Sequence, residues 1–535
     1  VADPTTGAPI CRSDIDPDTQ PGTSFFPALA APGFRSFIPG SGSCSPLNIF
    51  AQLDALNPET VDFVFQRTEI EAEIEQFVVN ATVTGNSAGY FSLPAGGIGY
   101  AAGFEYREES SETRPDALQV ARLGRFQTVD QEIVGGSFDV LEGFAEVTVP
   151  VLADVPFVQR LSIDASVRVA DYSTVGNATS FAAGAVWEPM RDLRIRGSFN
   201  RAVRAPNIAE LFSPQNVFPT QLRIGNDPCD PNSITSGTST RQQNCAQLVP
   251  DLATFDPSPS YSFGGVQSTR GGNADLNEET ADTYTIGFAY TPSALPGLSV
   301  VADYYAIEIT DAIGRPGSRA VIVANCADAP TIDNPFCAAI TRNPSTGVVE
   351  AVQETIRNIA EIRAQGVDYQ VRYAVETADL GVGDLGIVTA EVAGTYLIER
   401  EDQGFADFPG SSNRLDGGYN FPKHFLNVGL GWRMGPVSAD YGFNFQSNQI
   451  VGGSIGEFAL EAIEDNPLLI NDPNTGSAFV HYIGGAYRID DALQLSVRVN
   501  NLTDRDPFSL RPFEAPIRPA GFLGRTVQIG IQGGF

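Results

Sequence analysis

The sequence has no apolar run of the roughly 18 residues or more that a membrane-crossing helix takes. Methionine and tryptophan are scarce, two of each, and the two histidines, His424 and His481, are far apart. Six cysteines are present without any Cys-x-x-Cys spacing, so a Cys/His zinc site is disfavoured and no metal is assigned. Positive charge is in the minority: Lys+Arg 33 against Asp+Glu 64, for a net charge of -31 and a pI near 4.3. Nucleic acid calls for a basic surface, so that class of partner is excluded. The same acidity fits a solvated exported surface, attraction of cations to a pore mouth, or divalent ions held beside lipopolysaccharide. The chain starts Val1-Ala2-Asp3-Pro4, with neither methionine nor a signal peptide, as expected of a mature exported chain or an internal start.

What the sequence does have is glycine (53), phenylalanine (34) and a period of two. In Asp192–Asn200, Leu193, Ile195, Gly197 and Phe199 share one face, with Arg194, Arg196, Ser198 and Asn200 on the other. Arg160–Ala170, Val437–Gln446 and Asp491–Asn501 alternate in the same way. A soluble sandwich also alternates. These runs, however, reach about ten residues or more, long enough to cross a bilayer when tilted. Mean hydropathy stays near neutral, at -0.07, as a two-faced spanning strand requires.

We place about fifteen strands, near 61–82, 90–108, 138–149, 158–172, 178–187, 192–204, 280–290, 298–310, 360–374, 385–400, 424–433, 436–447, 479–488, 491–502 and 523–534. The links between them alternate between short and long; only Ser173–Asn177 is short where a long one is due. Short periplasmic turns and long extracellular loops are the pattern of an outer-membrane barrel. The expected fold is therefore all-β, a transmembrane antiparallel β-barrel. Residues 1–60 are expected to be an extracellular loop segment, with one helical turn over Ser45–Leu53, and residues 61–535 the C-terminal part of the barrel. An odd strand count implies an edge that further strands must cover, because unpaired backbone groups are costly in lipid.

The cysteines fall into local pairs, Cys11 with Cys44, Cys229 with Cys245 and Cys326 with Cys337, each in a stretch rich in Pro, Asn, Asp and Ser on the long-loop side. In an oxidising compartment they are expected to be disulfides bracing extracellular loops.

Three segments resemble the C-terminal barrel of TonB-dependent outer-membrane receptors. Ser198-Phe199-Asn200-Arg201-Ala202-Val203-Arg204-Ala205-Pro206-Asn207-Ile208-Ala209-Glu210-Leu211-Phe212 is similar to the family's strand ending in Arg-Ala-x-Arg-Ala-Pro, followed by Glu-Leu-Phe or Glu-Leu-Tyr. Gly272–Phe288 resembles a Gly-Asn-Pro-x-Leu-x-Pro-Glu strand start, with Ala274 and Glu278 in place of the two prolines. Val499–Pro507 resembles the Asn-Leu-x-(Asn/Asp) strand exit, with Phe508 near the usual Tyr. The terminal run carrying Ile529, Ile531 and Phe535 resembles the signal read by the barrel-assembly machinery. The resemblance implies a barrel of roughly 22 strands with a plugged lumen. This chain would supply about the last fifteen, embedded in outer-membrane lipid and lipopolysaccharide of a Gram-negative bacterium. It also implies an N-terminal plug, coupled to the TonB complex, that is moved by proton-motive force to import a scarce nutrient of siderophore, cobalamin, glycan or peptide type. Neither the plug nor its TonB box is recognisable in this sequence.

Arg168, Arg194, Arg196 and Arg498 are expected to face the lumen, where they would contact plug or solvated substrate, or only neighbouring carboxylates. Arg201, Arg204, Asn207, Phe212 and Tyr261 are candidates for substrate contact at the mouth. A structural role competes there, since Pro206 would end the strand. The loop aromatics Phe218 and Phe263 could cradle a ligand or fold the loop on itself. Asp227, Asp230, Asp472 and Asn474 could hold Ca2+, but Asx turns account for the same residues. No cofactor is expected. Rival readings are a passive porin and, further off, an outer-membrane hydrolase. The one Gly-x-Ser-x-Gly match, Gly452–Gly456, opens a loop rather than a strand-to-helix elbow, so the chain is not read as an enzyme.

Overall fold

The computed structural model describes residues 3–11, 69–116, 133–404, 412–450, 475–506 and 524–533, with 15, 45, 46 and 58. Strands β1 (Ile70–Asn86), β2 (Gly99–Pro115), β3 (Val134–Val155), β4 (Val158–Tyr172), β5 (Gly176–Met190) and β6 (Leu193–Arg204) come first. Then follow helix α1 (Ile208–Phe212), strand β7 (Asn216–Thr220), helices α2 (Arg241–Leu248) and α3 (Ser258–Tyr261), and strand β8 (Val266–Arg270). Strands β9 (Glu279–Tyr290) and β10 (Leu298–Gly314) precede α4 (Arg319–Asp328), α5 (Pro335–Ala338), β11 (Ile340–Arg342) and β12 (Val349–Gln353). The chain continues with β13 (Arg357–Glu376), β14 (Ile387–Gln403), β15 (Ser412–Arg414), β16 (His424–Met434), β17 (Val437–Gln446), β18 (Ala478–Arg488), β19 (Leu493–Asn500) and β20 (Thr526–Gly533).

One antiparallel wall runs β1-β2-β3-β4-β5-β6-β9-β10-β13-β14-β16-β17-β18-β19-β20, with β15 beside β14. The order skips strands at two main places, where the chain leaves the wall after β6 and after β10 and later returns. Directly opposed residues of an antiparallel pair point to the same side, so the register carries each face across the sheet. Ile195 opposes Phe288, Phe288 opposes Ala302, and Ala302 opposes Tyr369. At the far end Leu495 opposes Ile531 and Val497 opposes Ile529. This face is apolar and uncovered: Ile529 is 81% exposed and Ile286 60%. An apolar surface of that extent needs an apolar surrounding. Toward the long-loop side the same face turns acidic. Phe77 gives way to Glu75 and Glu73, Tyr106 to Glu108, Leu141 to Asp139, and Tyr284 to Asp282. That change marks one limit of the apolar band.

Most strands lie within a few residues of their expected positions, but the first two are displaced. Strand β1 extends to Asn86, and β2 begins at Gly99 rather than near 90. Tyr90, Phe91 and Leu93 imitate strand alternation, yet Ser87–Gly89 forms a 3-10 turn, closed by the Ala88 N–H donating to the Asn86 side chain at 2.9 Å. Gly96 then takes a φ of 130°, which a side chain would resist. Residues 61–68 and most of Ser45–Leu53 lie outside the described residues.

The segments 205–278 and 315–356, within links expected as loops over 205–279 and 311–359, fold together into a cap. Strands β11-β12-β8-β7 form its sheet, and the parallel β12–β8 pair, with Ala351 opposite Gln267, joins the two excursions. One core gathers Leu222, Val266, Ile322, Phe336, Val349 and Val352, all buried. A second gathers Cys229, Cys245, Val249, Phe255, Ala327 and Val348. Helix α5 starts as its sequence dictates, with Pro335 in the first turn and the Cys337 N–H donating to the Asn334 side chain at 2.9 Å. Disulfides Cys229–Cys245 and Cys326–Cys337 are formed. Cys11 is also disulfide-bonded, while Cys44 lies outside the described residues.

Candidate functional site

The polar face of the wall is built from the alternate positions. Arg168 meets Glu142 at 3.1 Å and Arg194 meets Glu188 at 2.8 Å. Arg196 reaches past a whole strand: its Nε donates to Asp303 Oδ1 at 2.7 Å, although its direct partner in the register is Gly287. A Cβ at Gly287 would run into the Asp303 carboxylate. The arrangement recurs where Arg498 reaches Asp440 at 3.6 Å over Gly484, with its guanidinium 4.2 Å from the Tyr482 ring centroid. All four of these arginines share one face, and each is matched by a carboxylate.

At the mouth, the segment after β6 turns over the wall. Asn207 caps α1: its side chain accepts from the Glu210 N–H at 2.8 Å, and its own N–H donates back to Glu210 at 2.8 Å. Arg204 holds Glu210 at 2.9 Å and also pairs with Glu279. Helix α1 packs against β3, and the Phe212 ring occupies the space that a side chain at Gly136 would fill. Strand β4 ends where Tyr172 opposes Val140, so Gly136 stands beyond the β4–β5 turn and α1 passes over that turn. The expected short link at Ser173–Asn177 is thus the place the helix covers. Accordingly Thr174 Oγ1, Val140, Ala170 and Ala178 are buried.

Arg201 does not join this group. It opposes Phe181 on the apolar face, pairs with Asp282 at 2.7 Å, and lies 5.7 Å from the Phe181 ring. That puts it with the outward aromatic residues rather than beside Arg204. Tyr261 belongs to the cap, where it packs on the first core and its hydroxyl donates to Asp230. Burial, and then that hydrogen bond, push the phenol well above its usual range.

Residues 45–502 match the family of TonB dependent receptor-like β-barrels. The chain belongs to the TonB-dependent receptor family. Solved structures share its fold. The ferric enterobactin receptor of Pseudomonas aeruginosa, with enterobactin bound, superposes with a TM-score of 0.53 at 13% identity, over 86% of this chain and 54% of that one. The siderophore receptor PirA of Acinetobacter baumannii gives 0.53 at 13% identity, over 87% and 55%. The chain therefore spans about half the length of these solved relatives, and at such identities the likeness is one of fold. No curated protein matches it by sequence.

Within this TonB-dependent receptor barrel, the cap is where sequence reasoning missed most. The Arg342 guanidinium grips Asp227 at 2.9 and 3.0 Å with both residues nearly or fully buried. Glu354 is buried between Arg270 and Arg319 and accepts from Ser268 at 2.7 Å. Arg241 pairs with Asp328. Burial acts to raise the Asp328 carboxyl, but Arg241 and the Thr238 N–H outweigh it and hold it below its ordinary value. Asp227 and Asp230 are committed to Arg342 and Tyr261 and close Asx turns at Cys229 and Asn232. Phe218 lies under Arg270, 5.0 Å away, whereas Phe263 is exposed. Both histidines lie on the apolar face among aromatics: His424 stacks on Tyr396, and His481 Nδ1 meets the Tyr441 hydroxyl at 2.8 Å. The family is one of transporters, not enzymes. Ile529 and Ile531 sit on the apolar face; Phe535, Gly452–Gly456, Asp472 and Asn474 lie outside the described residues. Mid-strand glycines such as Gly287 and Gly484 were the sequence signal for the long-reaching ion pairs. Nothing local marked Arg342 and Asp227 as partners.

Proposed function

We propose that this chain is the C-terminal part of an outer-membrane barrel that imports a scarce nutrient of siderophore, cobalamin, glycan or peptide type, driven through TonB by proton-motive force. The observation that carries the reading is a two-faced wall crowned by a folded cap. An apolar face suits lipid, a face of matched charges suits a filled, hydrated lumen, and a cap with its own core suits capture of ligand outside the cell. Arg168, Arg194, Arg196 and Arg498 then line the lumen, while Arg204, Asn207 and Phe212 build the rim. The remaining strands and the plug come from the rest of the receptor, which docks to TonB through the plug. Such a barrel would be inserted by the barrel-assembly machinery among lipid and lipopolysaccharide.

The siderophore class is the first to test, because enterobactin is bound in a structure with this fold. The experiment is uptake of radiolabelled ferric chelate by cells with and without the gene, each with and without a protonophore. Saturable uptake lost with the gene and with the protonophore is the expected result. Uptake indifferent to the protonophore, together with single-channel conductance of the purified protein, would replace the reading with a passive porin.

A further inference from the structure

On most of the polar face, side chains are spent on one another across strands: Arg196 on Asp303, Ser198 on Thr285, Thr395 on Asp368, and Gln370 on Glu391. Across β3 to β6 the pattern changes. A hollow of about 360 Å³ opens on the inner positions of β3 to β6, near the lower end of the range of roughly 300–1,000 Å³ typical of small-molecule sites. Its floor is small, Ser166, Ser180 and Ala182, and its edges are Glu146, Arg168 and Asn200. Small residues directly opposed on neighbouring strands cause the recess, since Ser166 opposes Ala182 and Ala182 opposes Asn200. No hydrogen bond or ion pair within the described residues occupies the side chains of Glu146, Ser166, Ser180 or Asn200. The hollow thus offers hydroxyls, an amide and a carboxylate, all unspent.

We propose that this alcove is a binding station for a neutral, hydroxyl-rich ligand such as a sugar ring. The charges select against an anion. Arg168 already meets Glu142 at 3.1 Å and lies 5.6 Å from the Phe144 ring. Arg201 also borders the hollow, but it stands at an apolar-face position and is paired with Asp282. The remaining charge, Glu146, has no ion-pair partner among the described residues. Groups that can both donate and accept suit a polyol, each of whose hydroxyls does the same. The proposal rests on the reading of this face as luminal.

The test is saturation-transfer NMR on the detergent-purified full-length receptor, with trehalose as the neutral probe and citrate as the anionic one. Trehalose is expected to bind, and citrate not. Glu146→Gln, nearly isosteric, should weaken trehalose by about threefold to tenfold, and Ser180→Phe, which fills the floor, should abolish it. Ser198→Ala, on the same face but outside the alcove, should change nothing. If trehalose does not bind, if both alcove variants leave its binding intact, or if citrate is preferred, the proposal is wrong. Binding in detergent needs no proton-motive force. Alcove binding without energised uptake would therefore overturn only the transport reading, and energised uptake without alcove binding only this one.

Discussion

The wall and the cap are made by one chain and hold together by different means. Among the described residues, the buried hydrophobic clusters lie in the cap and none lies in the wall. The wall's hydrogen-bond ladders run from Ile70 on β1 to Gly533 on β20, its apolar side chains point away from the protein, and ion pairs such as Arg196–Asp303 and Arg498–Asp440 stay partly exposed. The cap has two buried clusters, two disulfides and an ion pair sealed from water. The difference follows from the surroundings each part meets. A wall in lipid can leave its apolar face to the bilayer, whereas a cap in water must bury its own.

The strongest way to break that comparison is Asp227→Ala. It leaves the Arg342 guanidinium buried without a counter-charge and should cost the cap about 3–5 kcal/mol. Limited proteolysis should then cut within 205–278 or 315–356 while the heat-modifiable mobility of the barrel is kept. Loss of both together would mean that cap and wall are one cooperative unit. Replacing Cys229 and Cys245, or Cys326 and Cys337, by serine should cost about 2–4 kcal/mol for each pair, again confined to the cap. Denaturant titration with and without reductant measures this.

The wall has its own sensitive site. Ile286→Arg places a charge in the apolar band and should cost about 2–4 kcal/mol at mid-bilayer, read from urea unfolding in liposomes. An effect near zero would put Ile286 outside the band. Acid should act on the cap through Asp328. Its folded pKa is held below the unfolded value, about 3.9, so the stability it gives is complete above that pH and is lost as pH falls through the folded value. Protease resistance of the cap should drop on acidification below about pH 4, and Asp328→Asn should lower resistance at neutral pH while flattening the profile. Smallest of all, Arg196→Met should change barrel stability by about 0–1 kcal/mol, because the pair with Asp303 is half in water.

The same contrast decides what could be read from the sequence. Wall strands such as β4 and β6 were legible because an apolar face and a polar face on one sheet write themselves as strict alternation, as in Leu193 to Asn200. The region before β2 misled, since Tyr90, Phe91 and Leu93 alternate without pairing. The cap was illegible as a fold. Its sheet joins Gln267 to Ala351 and its buried ion pair joins Asp227 to Arg342, and no local pattern links partners that far apart. Its disulfides were legible because each closes within a short segment. Among the candidate residues, Arg204, Asn207 and Phe212 do meet at the rim. Arg201 does not, because its odd position shares the face of Phe199, a point the alternation already contained. Tyr261 was unreadable, since its partner Asp230 is fixed only by the folding of the cap.

Helix α1 has a consequence for where this protein can tolerate change. Most hairpins at this end of the wall are joined by long excursions, but the turn between Tyr172 and Gly176 lies beneath α1, with Phe212 seated at Gly136 beyond it. An inserted epitope tag or a lengthened loop at Thr174, whose hydroxyl is buried, is expected to disturb the seat of the helix on β3 and with it the Arg204 clamp. Natural variants and library selections should therefore leave the length of this turn fixed while neighbouring loops vary freely, making it a landmark for aligning distant sequences.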